Sequence, residues 1–160
     1  MTEVFYKVAY PVAFHTVDVA LVAFDGEEFY VAMIQKKSEV SSGMFRFPGG
    51  FVDPGDSSAE EAAVRELQEE IGCVVSKKDL VYIGSSKIDD PRYAESSHKI
   101  ITSFYMHYTH EKIRPVAGDD AAVVKMIKLS DLDKKINPIH RPLLDMLLAS
   151  EFRAYSLNQS

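Results

Sequence analysis

The stretch that decides the fold runs from Gly49 to Cys73, GGFVDPGDSSAEEAAVRELQEEIGC. Its parts follow one another without a gap. Gly49-Gly50, preceded by Pro48, is a turn whose glycines let a backbone amide or carbonyl approach a ligand closely. Asp53-Pro54-Gly55-Asp56 is dense in turn formers. Ser58 to Ile71 then reads as a helix. Ser58 with Glu61, or Ser57 with Glu60 in an equally good register, forms a capping box at its start, and Gly72 suits the left-handed stop at its end. Ala63, Leu67 and Ile71 recur at every fourth position as one apolar stripe, with Val64 beside it. Glu66, Glu69 and Glu70 stand at i, i+3 and i+4, so their carboxylates leave one face of the helix, opposite the stripe that anchors it to a sheet.

Like charges at that spacing cost roughly a few tenths of a kcal/mol per pair in an isolated helix. Arg65, solvent or bound divalent cations can compensate them. Hard carboxylate oxygens in this number suit Mg2+ or Mn2+, which keep several waters and bridge to phosphates. A solvated acidic face is the plain reading of any lone E-x-x-E-E. A glycine turn, a capped helix and three carboxylates within one 25-residue run are far more specific than any part alone.

Outward from this segment the chain alternates strands and turns. Val17 to Phe24 is rich in β-branched and apolar residues and reads as a buried strand. Asp25-Gly26 turns it into a second strand, Phe29 to Ile34, as a hairpin. A loop from Lys36 to Met44 leads to a short apolar piece, Phe45 to Phe47, broken by Pro48. After the helix come strands at Leu80–Ile83, Ile100–Tyr108 and Ala121–Ile127, a short helix at Asp131–Lys135, and a last helix from Arg141 to Phe152 whose Leu143, Met146 and Leu147 form a stripe. The order β-β-β-α-β-β-β-α predicts an α+β domain with a mixed sheet, not a regular βαβ repeat. At 160 residues the chain is expected to be a single domain, 1–160, ending in a flexible tail at 153–160.

With 18 basic and 24 acidic side chains the formal charge is 18 − 24 = −6. That balance argues against nucleic-acid polymers and anionic membranes as partners, since both need a basic surface. It also means that a phosphate ester is repelled unless a cation intervenes. Cys73 is the sole cysteine, so no intrachain disulfide forms, which fits a reducing compartment. Met1 to Lys7 shows no secretory pattern, and the longest apolar stretches, such as Val19 to Phe24, fall far short of the ~18 residues that span a bilayer. A cytoplasmic location is expected. His107 and His110 point to opposite faces of a strand and make no zinc pair, and Cys73 reads as packing.

Residues 49–73 resemble the signature box of the Nudix hydrolases. That pattern is a glycine, five residues, a glutamate, seven residues, and then R-E-aliphatic-x-E-E-x-G-aliphatic. Gly50, Arg65, Glu66, Leu67, Glu69, Glu70 and Gly72 match it in register, and Cys73 closes it as a small apolar residue. Two positions depart. Asp56 stands where the pattern has glutamate, and eight residues separate it from Arg65. In the family that glutamate braces the box arginine, so the departures bear on the brace more than on the metal site.

The resemblance implies an α/β/α sandwich, a Nudix fold with a mixed central sheet and a box helix. It further implies hydrolysis of the pyrophosphate bond in a nucleoside diphosphate linked to another moiety. Glu66, Glu69 and Glu70, with the Gly49 carbonyl, would be the metal ligands for Mg2+, with Mn2+ as substitute. The metal would neutralise phosphate charge and lower the pKa of bound water, and Arg65 would orient the carboxylates. Many members add an acid from a later loop. Asp119 and Asp120 after Gly118 are the candidates, with Glu111 as rival.

The box does not choose the substrate. Asp89-Asp90-Pro91-Arg92-Tyr93, with Ser97-His98-Lys99 and Gly118-Asp119-Asp120 downstream, resembles the Nudix half of NAD-metabolism enzymes that cleave ADP-ribose. ADP-ribose to AMP and ribose 5-phosphate is therefore the leading expectation. Arg92 would pair with phosphate, Tyr93 would stack on adenine or ribose, and Arg46 and Gly50 would complete the substrate side. A (deoxy)nucleoside triphosphate or dinucleoside polyphosphate pyrophosphatase is the alternative enzyme, and a non-catalytic nucleotide-sensing domain the alternative of another class. Relatives that cleave ADP-ribose are often homodimers with exchanged N-terminal strands, and residues 1–14 are long enough for such an extension.

Overall fold

The computed structural model describes residues 10, 12–91, 99–118 and 121–156. Strand β1 (Ala13–Phe24) is central. Around it lie β2 (Phe29–Lys36), β3 (Gly49–Phe51), β4 (Val81–Ile88), β5 (Lys99–Thr109) and β6 (Ala121–Lys128), with helices α1 (Ala59–Ile71), α2 (Leu132–Lys135) and α3 (Arg141–Ala149). The sheet order is β4-β5-β1-β2-β6, with β3 also on β1. β1 and β5 run parallel from Ala13↔Lys99 to Ala23↔Thr109, and the other pairings between named strands are antiparallel, so the sheet is mixed.

On the other side of β1 two partners share the strand. Val22 to Phe24 pair with β2 beside the turn, and Thr16 to Asp18 pair with β3. Gly26 adopts φ +100, and the Asp25 carboxylate accepts the Glu27 and Glu28 N–H groups at 2.8 Å each, which fixes that turn. Between the two pairings the Val19 N–H donates to the Pro48 carbonyl at 2.9 Å. The strand expected at Phe45–Phe47 is instead a pair of isolated bridges, Ile34↔Arg46 and Phe45↔Ile136. Proline has no N–H for a ladder, and the paired strand starts only at Gly49, where a break was expected.

Alternation along β1 serves two cores. Val17, Val19 and Leu21 pack with Ala63, Leu67 and Ile71 of α1. Ala20 and Val22 pack with Phe47, Phe104, Phe152 and the α3 residues Leu143, Leu144 and Leu147. Sheet faces covered by helices on both sides make the α/β/α sandwich. The last helix stops at Ala149, earlier than expected. Phe152 is buried in a following 3-10 turn, Phe152–Ser156, where the tail was expected to start at 153. Among the described residues no helix is long and apolar enough to cross a membrane.

Candidate functional site

Helix α1 is placed by its ends and its stripe. The Ser58 hydroxyl accepts the Glu61 N–H at 3.1 Å, while the Glu61 carboxylate takes the Ser57 N–H at 3.1 Å. The Ser58 register is thus the one used. Gly72 ends the helix at φ +68, its N–H donating to the Gln68 carbonyl. With Leu67 and Ile71 buried against the sheet, Glu66, Glu69 and Glu70 line a cleft of about 460 Å³ together with Gly49, Gly50 and Arg65.

Arg65 ties this cluster together. Its Nε and Nη2 donate to the two Asp56 oxygens at 3.1 and 2.9 Å, and Nη2 also donates to the Phe51 carbonyl at 3.0 Å. Its Nη1 donates to Glu66 at 2.9 Å and to Glu69 at 3.2 Å. Asp56 therefore reaches the arginine despite its shorter side chain and the extra residue. The turn from Asp53 to Asp56 closes on itself, Asp56 N–H to Asp53 carbonyl at 2.9 Å and Asp53 N–H to Asp56 carboxylate at 2.7 Å, which aims the carboxylate at the helix. The Arg65 bonds and the Asp53 N–H hold the Asp56 carboxyl below its usual range, and Asp56 in turn raises the Arg65 pKa.

The glycine turn meets the helix at two points. The Gly49 N–H donates to Glu70 at 2.9 Å. A Cβ on Gly50 would lie 2.5 Å from the Glu66 carboxylate, so that space belongs to the glutamate. Glu70 is buried, not on an open helix face as the spacing alone implied, and burial pushes its pKa up to about 7 against the pull of the Gly49 N–H. Burial also raises Glu66, opposed by Arg65. Among the described residues no three His, Cys, Asp or Glu side chains are gathered closely enough to form a metal cage. The donor set nevertheless fits a hard divalent cation: carboxylate oxygens from one helix face, a buried Glu70 that forms no ion pair among the described residues and feels Lys36 only at a distance, and a turn with no side chain at Gly49 or Gly50 to fill the approach.

Sequence reasoning did not single out Asp18, Lys36, Phe47, Ile88, Ile100 or His140, which all line the cleft, while Asp90, quoted there within the 89–93 segment, lines it as well. Burial pushes Asp18 up to about 7, against a hydrogen bond from Thr102. The one signal available was a charged residue inside an apolar strand. Arg46 does line the cleft, but its Nε and Nη2 are held by Glu39 at 2.9 and 2.6 Å. Glu111 lies elsewhere, in the wall of a separate cavity with Phe24, Tyr30 and His110. Arg92, Tyr93, Asp119 and Asp120 lie outside the described residues. The segment leading to the two aspartates is pinned to the end of α1: the Gly118 N–H donates to the Glu70 carbonyl at 2.8 Å and the Val116 N–H to Ile71 at 2.9 Å.

Fold and site together define a class of domain, a mixed sheet between helical layers in which a glycine turn and an arginine-braced carboxylate helix pack as one unit at a cleft. The sequence model of the NUDIX domain matches residues 14–147, and the chain belongs to that family. It is 35% identical over 116 residues to the ADP-ribose pyrophosphatase of Methanocaldococcus jannaschii, covering 71% of this chain and 64% of that protein. It is 30% identical over 113 residues to the mitochondrial ADP-ribose pyrophosphatase of Rattus norvegicus, covering 56% and 31% respectively. The chain thus spans less than two thirds of either relative. Among solved structures, the NUDIX domain of Shewanella oneidensis NrtR, cocrystallised with ADP ribose, superposes with a TM-score of 0.71 at 19% identity, covering 88% of this chain and 89% of that one. At that identity the likeness is one of fold.

Proposed function

We propose that the protein is a divalent-metal-dependent pyrophosphohydrolase whose substrate is ADP-ribose, cleaved to AMP and ribose 5-phosphate. What carries the substrate is the 35% identity over 116 residues to the Methanocaldococcus jannaschii ADP-ribose pyrophosphatase. What supports the chemistry is the presence of Glu66, Glu69 and Glu70 in one cleft with Lys36 and Arg46.

Glu66, Glu69 and Glu70, with the Gly49 carbonyl, would hold Mg2+ or Mn2+. Bound there, such an ion would neutralise pyrophosphate charge and lower the pKa of a water. Arg65 orients Glu66 and Glu69 through its Nη1, and Asp56 and the Phe51 carbonyl fix the arginine itself. The Gly49 N–H holds one oxygen of Glu70, and among the described residues the other accepts no hydrogen bond and would face a ligand. Lys36 lines the cleft and brings positive charge to it, while the Arg46 guanidinium there is already paired with Glu39. Phe47, Ile88 and Ile100 offer apolar walls to the rest of the molecule. Arg92 and Tyr93 remain candidates for phosphate and ring contacts, Gly50 for close backbone approach, and Asp119 or Asp120 for the loop acid.

A panel of ADP-ribose, dGTP, other nucleoside triphosphates and dinucleoside polyphosphates, assayed for AMP and phosphate release with Mg2+ and with Mn2+, tests the reading. ADP-ribose is expected to give the highest kcat/KM and to need the metal. A rank below dGTP overturns the substrate, and turnover undiminished by chelator overturns the chemistry.

A further inference from the structure

Along β1 every residue from Val17 to Val22 is buried, and all but Asp18 are apolar. A carboxylate in a strand interior is costly unless it is paired. Among the described residues its partners are few. The Thr102 hydroxyl, on β5, donates to Oδ2 at 2.5 Å. His140 Nε2 stands 3.7 Å from Oδ1, too far for a hydrogen bond. The Phe47 N–H donates to His140 Nδ1 at 3.1 Å, so Nδ1 is the acceptor, the ring is neutral, and its proton sits on Nε2, towards Asp18. Oδ1 is thus aligned by a dipole and keeps accepting capacity, in a side chain only 9% exposed.

That capacity is turned into the cleft. Asp18 lines it beside Phe47, Ile88 and Ile100. Across the ladder stands Gly49, where a Cβ would come within 2.6 Å of Oδ1. A carboxylate repels phosphate, and Lys36, Arg46 and Glu66 already stand within electrostatic reach of Asp18, while Phe47, Ile88 and Ile100 also line the cleft, so a group that suits Oδ1 is a neutral hydrogen-bond donor carried on a partly apolar body.

We infer that Asp18 is a specificity-determining residue whose Oδ1 accepts a hydrogen bond from a hydroxyl or amine on the non-phosphate part of the substrate. Thr102 is a positioning residue that holds the carboxylate through Oδ2, and His140 faces Oδ1 without bonding it. The inference rests on the reading of this cleft as the pyrophosphohydrolase site.

Matched substrates test it. Wild-type enzyme and the Asp18→Ala and Asp18→Asn variants are assayed on ADP-ribose and on three analogues: one lacking the adenosine ribose hydroxyls, one lacking the free hydroxyls of the terminal ribose, and one with inosine for adenosine, which lacks the amine. For wild type, kcat/KM falls about 10- to 100-fold for the analogue missing the recognised donor, the loss expected when a buried acceptor is left without its donor. In Asp18→Ala that pair differs by less than about 3-fold, and Asp18→Asn, a weaker acceptor, falls between. A merely structural role for Asp18 would lower all four substrates together and leave the ratios as in wild type, and that result overturns the inference. So does a wild type indifferent to all three analogues. If wild type hydrolyses triphosphates and not ADP-ribose, the proposed substrate fails, and the same deoxy and inosine pairs in the triphosphate series decide the role of Asp18 separately.

Discussion

Two glycines show how differently one missing Cβ can act. At Gly50 the added atom would meet the Glu66 carboxylate at 2.5 Å, and a glutamate tip can swing away. At Gly118 it would meet the backbone carbonyl of Glu69 at 1.9 Å, and a helix carbonyl cannot. Gly50→Ala is therefore expected to keep its melting temperature near wild type yet lose activity by about 10²-fold if Glu66 holds the proposed metal, since a misplaced ligand costs about that much. Gly118→Ala should lose about 1–3 kcal/mol of stability, the usual cost of overpacking. Calorimetry and turnover on the same two variants check the contrast. At this scale the carboxylates were legible because side-chain direction in a helix follows from spacing alone. Asp18, His140 and Lys36 were not, because they reach the cleft from β1, the start of α3 and the end of β2, and nothing local announces that these places meet.

Helix α1 could be read almost to the residue, since its cap, stripe and stop are all encoded within its own length. The element that escaped was β3. Its three residues, Gly49–Phe51, carry weak intrinsic preference, and they are strand only because Thr16 to Asp18 of β1 are left without β2 alongside. The 3-10 turn Lys37–Ser42 is another tertiary product. Its Glu39 is buried against Arg46, the Lys36 N–H and the Asn137 amide. Burial pushes the Glu39 carboxyl up, but these bonds outweigh it and hold the pKa below the ordinary range. Removing one partner strands the other: Arg46→Ala should cost about 3–5 kcal/mol, whereas replacing both residues with apolar ones of similar volume should cost far less. Urea unfolding of the single and double variants measures this. Equal losses in the two would mean that the pair holds the turn by packing alone.

For the whole molecule the net charge of −6 is less telling than where the acids sit. Asp18 and Glu70 face one cleft with pKa values pushed up to about 7 by burial, and Glu66 beside them is raised as well. In the unfolded chain such carboxyls ionise near pH 4. Between these limits the folded state binds more protons than the unfolded one, so their contribution is fully present below about pH 4 and is lost as pH rises through about 7. Asp56 and Glu39 are lowered and work in the opposite sense, but only on acidification below about pH 4, outside that window. Without metal, the melting temperature should therefore fall from pH 5.5 to pH 8, and Glu70→Gln should flatten the slope by removing one raised group. A divalent cation at the proposed site would bind the ionised carboxylates, so millimolar Mg2+ should raise the melting temperature more at pH 8 than at pH 5.5. Calorimetry over that range with chelator and with Mg2+ measures both slopes. A melting temperature that rises with pH in chelator, or a Mg2+ effect equal at both ends, would show that the cleft acids are not what links this fold to protons and cations.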